Sequence, residues 1–113
     1  MRAQDIHVTI ISEALDQVSA QRLRRQLRDQ LLEGRMAHAI DLRELNTLDS
    51  PTLAALIQSL RAVREAGGTI SLLVRQPHII KILSITGLDR IFAIYADVEA
   101  AAAALNARRP IPA

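Results

Sequence analysis

The chain reads as one α/β domain, with about four mainly parallel strands alternating with four helices. Three observations predict this. Short apolar, strand-like runs recur at 6–11, 37–42, 69–74 and 91–95. The segments after each run carry apolar residues at helical spacing. Cap residues or prolines precede those segments, and Gly34, Gly67-Gly68 and Gly87 follow the first three, where glycine commonly ends a helix. Strand and helix in strict alternation, with short connections, call for crossover helices of one hand over a parallel sheet.

Ile6 to Ile11 is β-branched and ends wholly apolar, so it predicts a strand with one well-buried face. Ser12 to Ser19 is a loop in which Asp16 or Ser19 can cap a helix running to about Glu33. Ala20, Leu23, Leu27 and Leu31 point inward from it, and Arg22, Arg25, Arg28 and Asp29 form a solvated outer face. Ala37 to Leu42 is short and mostly apolar, as a central strand should be. A helix follows from Ser50 to Ala66, with Ser50 as its N-cap and Pro51 at its first position. Leu53, Leu56, Ile57, Leu60 and Val63 give it one buried stripe. Gln58, Arg61, Arg64 and Glu65 form a charged exposed strip, and Thr52, Ala55, Ser59 and Ala62 a small, flat one leading away from Ser50. Thr69 to Val74 is the third strand. Pro77 to Thr86 is a helix with Ile79, Ile80 and Leu83 inward. Ile91 to Tyr95 is the last strand, and Asp97 caps a final helix whose Val98, Ala101, Ala102 and Leu105 face the core. The core spans about 6–105, and 106–113 is a tail with two prolines.

Composition limits the function classes. At 113 residues, 50% apolar and 23% charged, the chain is a single folded domain with no linker. No apolar run reaches the length of a membrane span, and the N-terminus lacks the apolar segment of a secretion signal. The absence of cysteine rules out disulfides and fits a cytoplasmic protein. The formal net charge is only +2, and Phe92 and Tyr95 are the only aromatics. Neither a dense basic face nor a stacking platform is available for nucleic acid.

Catalytic constellations are equally thin. Gly67-Gly68 lies between a helix and a strand, the reverse of a phosphate-binding turn. His7, His38 and His78 stand far apart in sequence without a partner at ligand spacing, which favours no metal. Ser50 is not in a nucleophile elbow, and nothing marks an apolar pocket around the Asp41/Glu44 carboxylates. The residues favour a non-enzymatic protein without cofactors.

The run Ala-Ile-Asp-Leu-Arg-Glu-Leu-Asn-Thr-Leu-Asp-Ser, the striped helix after it, and Ile-Thr-Gly-Leu-Asp-Arg-Ile-Phe-Ala-Ile-Tyr resemble the STAS domains. Among them the chain looks most like the anti-anti-sigma factors, also called anti-sigma factor antagonists, over about Ile6 to Leu105. The resemblance implies that Ser50 is the residue phosphorylated by a partner serine kinase that doubles as the anti-sigma factor. The unphosphorylated protein then binds the kinase, and a phosphatase resets the cycle. Asp16 matches an acidic residue beside the family's kinase-binding face. The partner-binding set is accordingly Asp16, Asp49, Ser50, Thr52, Ala55 and Ser59, with Thr47 and Thr52 as other possible acceptors. Pro51-Thr52 departs from the small residue and glycine that usually follow the serine. A single strand before the first helix leaves a sheet edge open, so a monomer with weak dimerisation is expected. The alternatives are an accessory subunit of a membrane transport complex and, more remotely, a small-ligand-binding module.

Overall fold

A computed structural model describes residues 2–107; of the tail expected at 106–113, Asn106 and Ala107 instead continue the last helix, and 108–113 lie outside the described residues. Strands β1 (His7–Ile10), β2 (Ala37–Asp41), β3 (Thr69–Leu73) and β4 (Ala93–Tyr95) alternate with helices α1 (Gln17–Leu32), α2 (Ser50–Glu65), α3 (Pro77–Ile85) and α4 (Val98–Ala107). Short 3-10 turns stand at Ala3–Asp5 and Leu88–Arg90. The sheet is parallel throughout and its order is β1-β2-β3-β4.

Because each strand is laid down beside the previous one, crossovers of a single hand place α1, α2 and α3 on the same face. Leu23, Leu27, Leu56, Leu60, Ile79 and Leu83 meet Ile40, Leu42, Ile70 and Leu72 there. The other face is covered by α4 and the N-terminal turn. Ala101 and Ala102 share a buried cluster there with Ala37, Ala39, Ile6 and Leu73. Among the described residues no helix is long and apolar enough to cross a membrane.

Three expectations at strand and helix borders need correction. β1 is an edge strand whose middle is only half-buried: Ile6 and Ile11 at its ends are covered while Ile10 is 63% exposed. Ile80 faces solvent instead of the core, since α3 is short and Ile79 and Leu83 already fill its inward side. The last strand starts at Ala93 rather than Ile91, because the N–H groups of Ile91 and Phe92 both turn back to the Leu88 carbonyl. At the end of α2, Gly67 takes φ +85°. Gly68 follows, where a Cβ would lie 2.5 Å from the Met36 carbonyl oxygen. The chain thus needs glycine twice, once for a left-handed turn and once for close approach to β2.

The parallel register also joins two histidines that stand 31 positions apart. His7 and His38 are cross-strand neighbours with ring centroids 5.5 Å apart, edge to face. His38 is buried, and its Nε2–H donates to the Arg35 carbonyl at 2.6 Å. Burial holds its pKa below the ordinary 6.5, and nearby His7 acts in the same direction. The unfolded chain therefore takes up this proton first. Stability conferred by the neutral ring is complete above about pH 6.5 and declines as pH falls through that value. Urea midpoints measured from pH 7.5 down to 5 should fall, and a His38→Gln variant should show a shallower decline.

Candidate functional site

The connections after β1 and β2 meet at the C-terminal end of the sheet, where open parallel sheets commonly place their sites. The first turn of α2 is their centre. Its N-cap is Asp49, not Ser50: the Asp49 carboxylate accepts from the Thr52 N–H at 3.0 Å, and Pro51 stands in the first turn. This hydrogen bond holds the Asp49 carboxyl below its usual range. Ser50 becomes the first helical residue, exposed and relieved of capping.

The small strip is also placed differently from the sequence expectation. Thr52, Ala55 and Ser59 are 0–1% exposed; of that set only Ala62 faces solvent. α2 packs on the sheet through Leu56, Leu60 and Val63 and against α1 as well. Its buried arc is therefore wider than the leucine stripe alone. Ser59 satisfies its hydroxyl internally by donating to the Ala55 carbonyl at 2.8 Å. Thr52 Oγ1 accepts from the Leu15 N–H at 2.9 Å. These three side chains are structural, and a partner cannot touch them on the folded domain.

The Leu15–Thr52 bond has a second effect. It fastens the loop bearing Asp16 against the start of α2. Asp16 caps α1 by accepting from the Ser19 N–H at 2.8 Å, while the Ser19 hydroxyl accepts from the Asp16 N–H. Hydrogen bonds from Ser19 keep its carboxyl below the ordinary value too. Ionised Asp16 and Asp49 thus sit on the two connections that meet beside exposed Ser50. Thr52→Val removes the acceptor for the part-buried Leu15 N–H and should cost about 1–3 kcal/mol. Chemical denaturation measures this cost, and hydrogen exchange should show faster exchange at Leu15.

On the other side, Gln76, which the sequence did not single out, and His78 hold the segment leading into Ser50. The Gln76 side-chain amide donates to the carbonyls of Leu42 and Leu45, each at 2.7 Å. The His78 Nε2–H donates to the Asn46 carbonyl at 2.6 Å. Leu45 and Leu48 anchor the same segment in the core. At the end of β2, Arg43 grips Asp41 with both ends of its guanidinium, at 2.9 and 2.8 Å, and holds that carboxyl below its usual range. Asp41 is thus committed to Arg43, and Glu44 is exposed. Gln76 looked unremarkable in sequence, for its role depends on two crossovers becoming neighbours. The segment leading into Ser50 is thus tied down at several points, and the acidic Asp16 and Asp49 stand on the connections beside the serine.

The profile of the STAS domain family matches residues 2–101. BtrV from Bordetella bronchiseptica, named as an anti-sigma factor antagonist, is 25% identical over 103 residues, or 91% of this chain and 89% of that protein. A crystal structure of an anti-sigma factor antagonist from Thermotoga maritima superposes with a TM-score of 0.76 at 24% identity, covering 96% of this chain and 92% of the other. The phosphorylated form of the Bacillus cell fate determinant SpoIIAA gives 0.66 at 18% identity, over 88% and 91% of the two chains.

Proposed function

We propose that this chain, which belongs to the STAS domain family, acts as an anti-sigma factor antagonist in a partner-switching pathway. Unphosphorylated, it binds an anti-sigma factor that is also a serine kinase; phosphorylation of Ser50 releases it, and a phosphatase restores it. The observation that carries this reading is the exposed Ser50 hydroxyl at the first position of α2, beside a cap that Asp49 supplies. A kinase can take this hydroxyl without unfastening the helix. The naming of BtrV and the phosphorylated SpoIIAA structure lend support. The domain has no catalytic part of its own in this scheme.

Accessible ground beside Ser50 is offered by Asp16 and Asp49, and by Pro51, Ala54, Gln58 and Arg61 along the outer side of α2. This row replaces the buried Thr52, Ala55 and Ser59 as the docking surface. A phosphate would add about −1.5 to −2 charges at a helix N-terminus, where an anion is tolerated, although Pro51 withholds one N–H from it. At a packed interface the same charge would face desolvation and two carboxylates. The fold survives and the contact does not.

The test is incubation with ATP and the cognate kinase, followed by intact-mass and peptide mass spectrometry. One phosphate on Ser50, absent from Ser50→Ala, is expected. Thr52 is too deeply buried to compete, whereas Thr47 is exposed. A phosphate on Thr47 alone would sink the assignment of Ser50. A stable complex with no phosphorylation would favour the accessory-subunit reading.

A further inference from the structure

The surface beside Ser50 continues past α2. Ser50, Ala54, Ile57, Arg61 and Arg64 recur at alternating steps of four and three, so they share one side of that helix. At the foot of this side the Arg64 guanidinium donates to the Ile91 carbonyl at 2.8 Å, beyond the end of α3. On α3, His78, Lys81, Ile82 and Ile85 share a side by the same spacing. That side meets the segment leading into α2, because His78 bonds the Asn46 carbonyl. The two strips therefore look toward one another and are tied at both ends. Between the ties the side chains are apolar and open. Ile57 and Ile82 are half-buried against the core, while Ile85 is 74% exposed and Ile91 37%.

The charges bordering this ground have one sign. Arg61, Arg64 and Lys81 are all exposed. From Ser50 to Leu88 the chain holds a single acid, Glu65. It lies on the α1 side of α2, in the groove that Arg24 and Arg28 also line. Asp89 is followed at once by Arg90, so the lower border stays net positive. The upper end, around Ser50, carries Asp49 and exposed Glu44 instead. The surface is thus graded, acidic at the serine and cationic along the rest.

We infer that this surface docks an acidic segment of the partner kinase, an inference that rests on the function proposed above. An apolar stripe on that segment covers Ile82, Ile85 and Ile91, and its carboxylates meet Arg61, Arg64 and Lys81. Three features select this occupant. The α2 strip begins at Ser50, so a protein that engages the hydroxyl already overlies its upper end. Cations of one sign along the border draw in carboxylates and repel a basic segment. Exposed isoleucines grouped together mark ground that gains from an apolar cover. From Ser50 to Arg64 the strip spans about 21 Å at 1.5 Å per residue, room for about three to four turns of a partner helix.

The experiment is calorimetric titration of the kinase with the full, unphosphorylated chain at about 50 mM and about 500 mM salt, the second of which shortens screening to a few ångströms. Wild type should lose about tenfold in affinity between the two. At the lower salt Lys81→Glu and Ile85→Ser, both at exposed positions, should each bind about tenfold more weakly than wild type. The Lys81→Glu deficit should shrink at the higher salt, and that of Ile85→Ser should persist. Arg25→Glu makes the same change of charge on the exposed face of α1 and should stay within about twofold of wild type. Isoleucine methyl spectra of the wild-type domain should shift at Ile82, Ile85 and Ile91 when kinase is added. That measurement requires no variant and survives a folding failure of any of them.

Binding of Lys81→Glu or Ile85→Ser equal to wild type, or methyl shifts that spare those three residues, would overturn the docking surface. So would Arg25→Glu weakening as much as Lys81→Glu, which would reduce the effect to net charge. Ser50→Asp reads the switch separately. If it is released while Lys81→Glu binds normally, the switch stands and this surface falls. A kinase that binds no form of the chain would overturn both.

Discussion

Ser50→Asp should bind the partner kinase about 2–5 kcal/mol more weakly than wild type, roughly thirty- to several-thousand-fold. The fixed charge would enter a closed contact with no counter-ion, close to Asp16 and Asp49, and its desolvation would not be repaid. Stability should hardly change, because the carboxylate would stand at an exposed first-turn position where the helix dipole favours it. Ser50→Ala should bind like wild type. Since Asp49 holds the cap, alanine is also a cleaner control than glycine, which would loosen the first turn. Calorimetric titration of the three proteins with the kinase decides the matter. Equal affinity for Ser50→Asp would end the charge-block mechanism, and weaker binding of both variants would point to loss of the hydroxyl itself.

Ser59→Arg should destabilise the domain by about 3–5 kcal/mol or more, through overpacking and burial of an unpaired charge. Set against a total stability of about 5–15 kcal/mol for a domain, that can unfold much of the population. Were Ser59 on an open docking strip, the same change would leave stability nearly untouched and weaken only partner binding. Thermal unfolding of Ser59→Arg beside Arg61→Ser, a change on the solvent side of the same helix, separates the two arrangements. A normal melting temperature for Ser59→Arg would contradict the close packing of α1 on α2.

The fold was legible because its signals are local and agree. Apolar runs, helical periods and turn glycines each mark an element, and their strict alternation leaves little choice of topology. Asp97 was readable as a cap for the same reason, and Asp16 as one of two candidates beside Ser19: each aspartate accepts an N–H three residues on, from Ala100 and Ser19. The cap of α2 was harder. Asp49 and Ser50 are both strong capping residues, and Pro51 fits either of the first helical positions, so local chemistry does not choose between them. The misplaced strip has a different cause. Small residues such as Ala55 and Ser59 look neutral in a hydrophobicity pattern, yet they are what lets two helices approach closely. Only knowing that α1 lies alongside α2 reveals them as buried. The His7–His38 contact and the Gln76 tether were out of reach for a similar reason, since both arise from register and from crossovers that become neighbours after folding.

The consecutive strand order has a kinetic consequence. Every pairing joins strands that are neighbours along the chain, so no long excursion must be closed before a contact forms. The entropic toll of each closure is that of one helical crossover. Assembly can therefore advance stepwise from any adjacent strand–helix–strand unit, without waiting for the chain ends to meet.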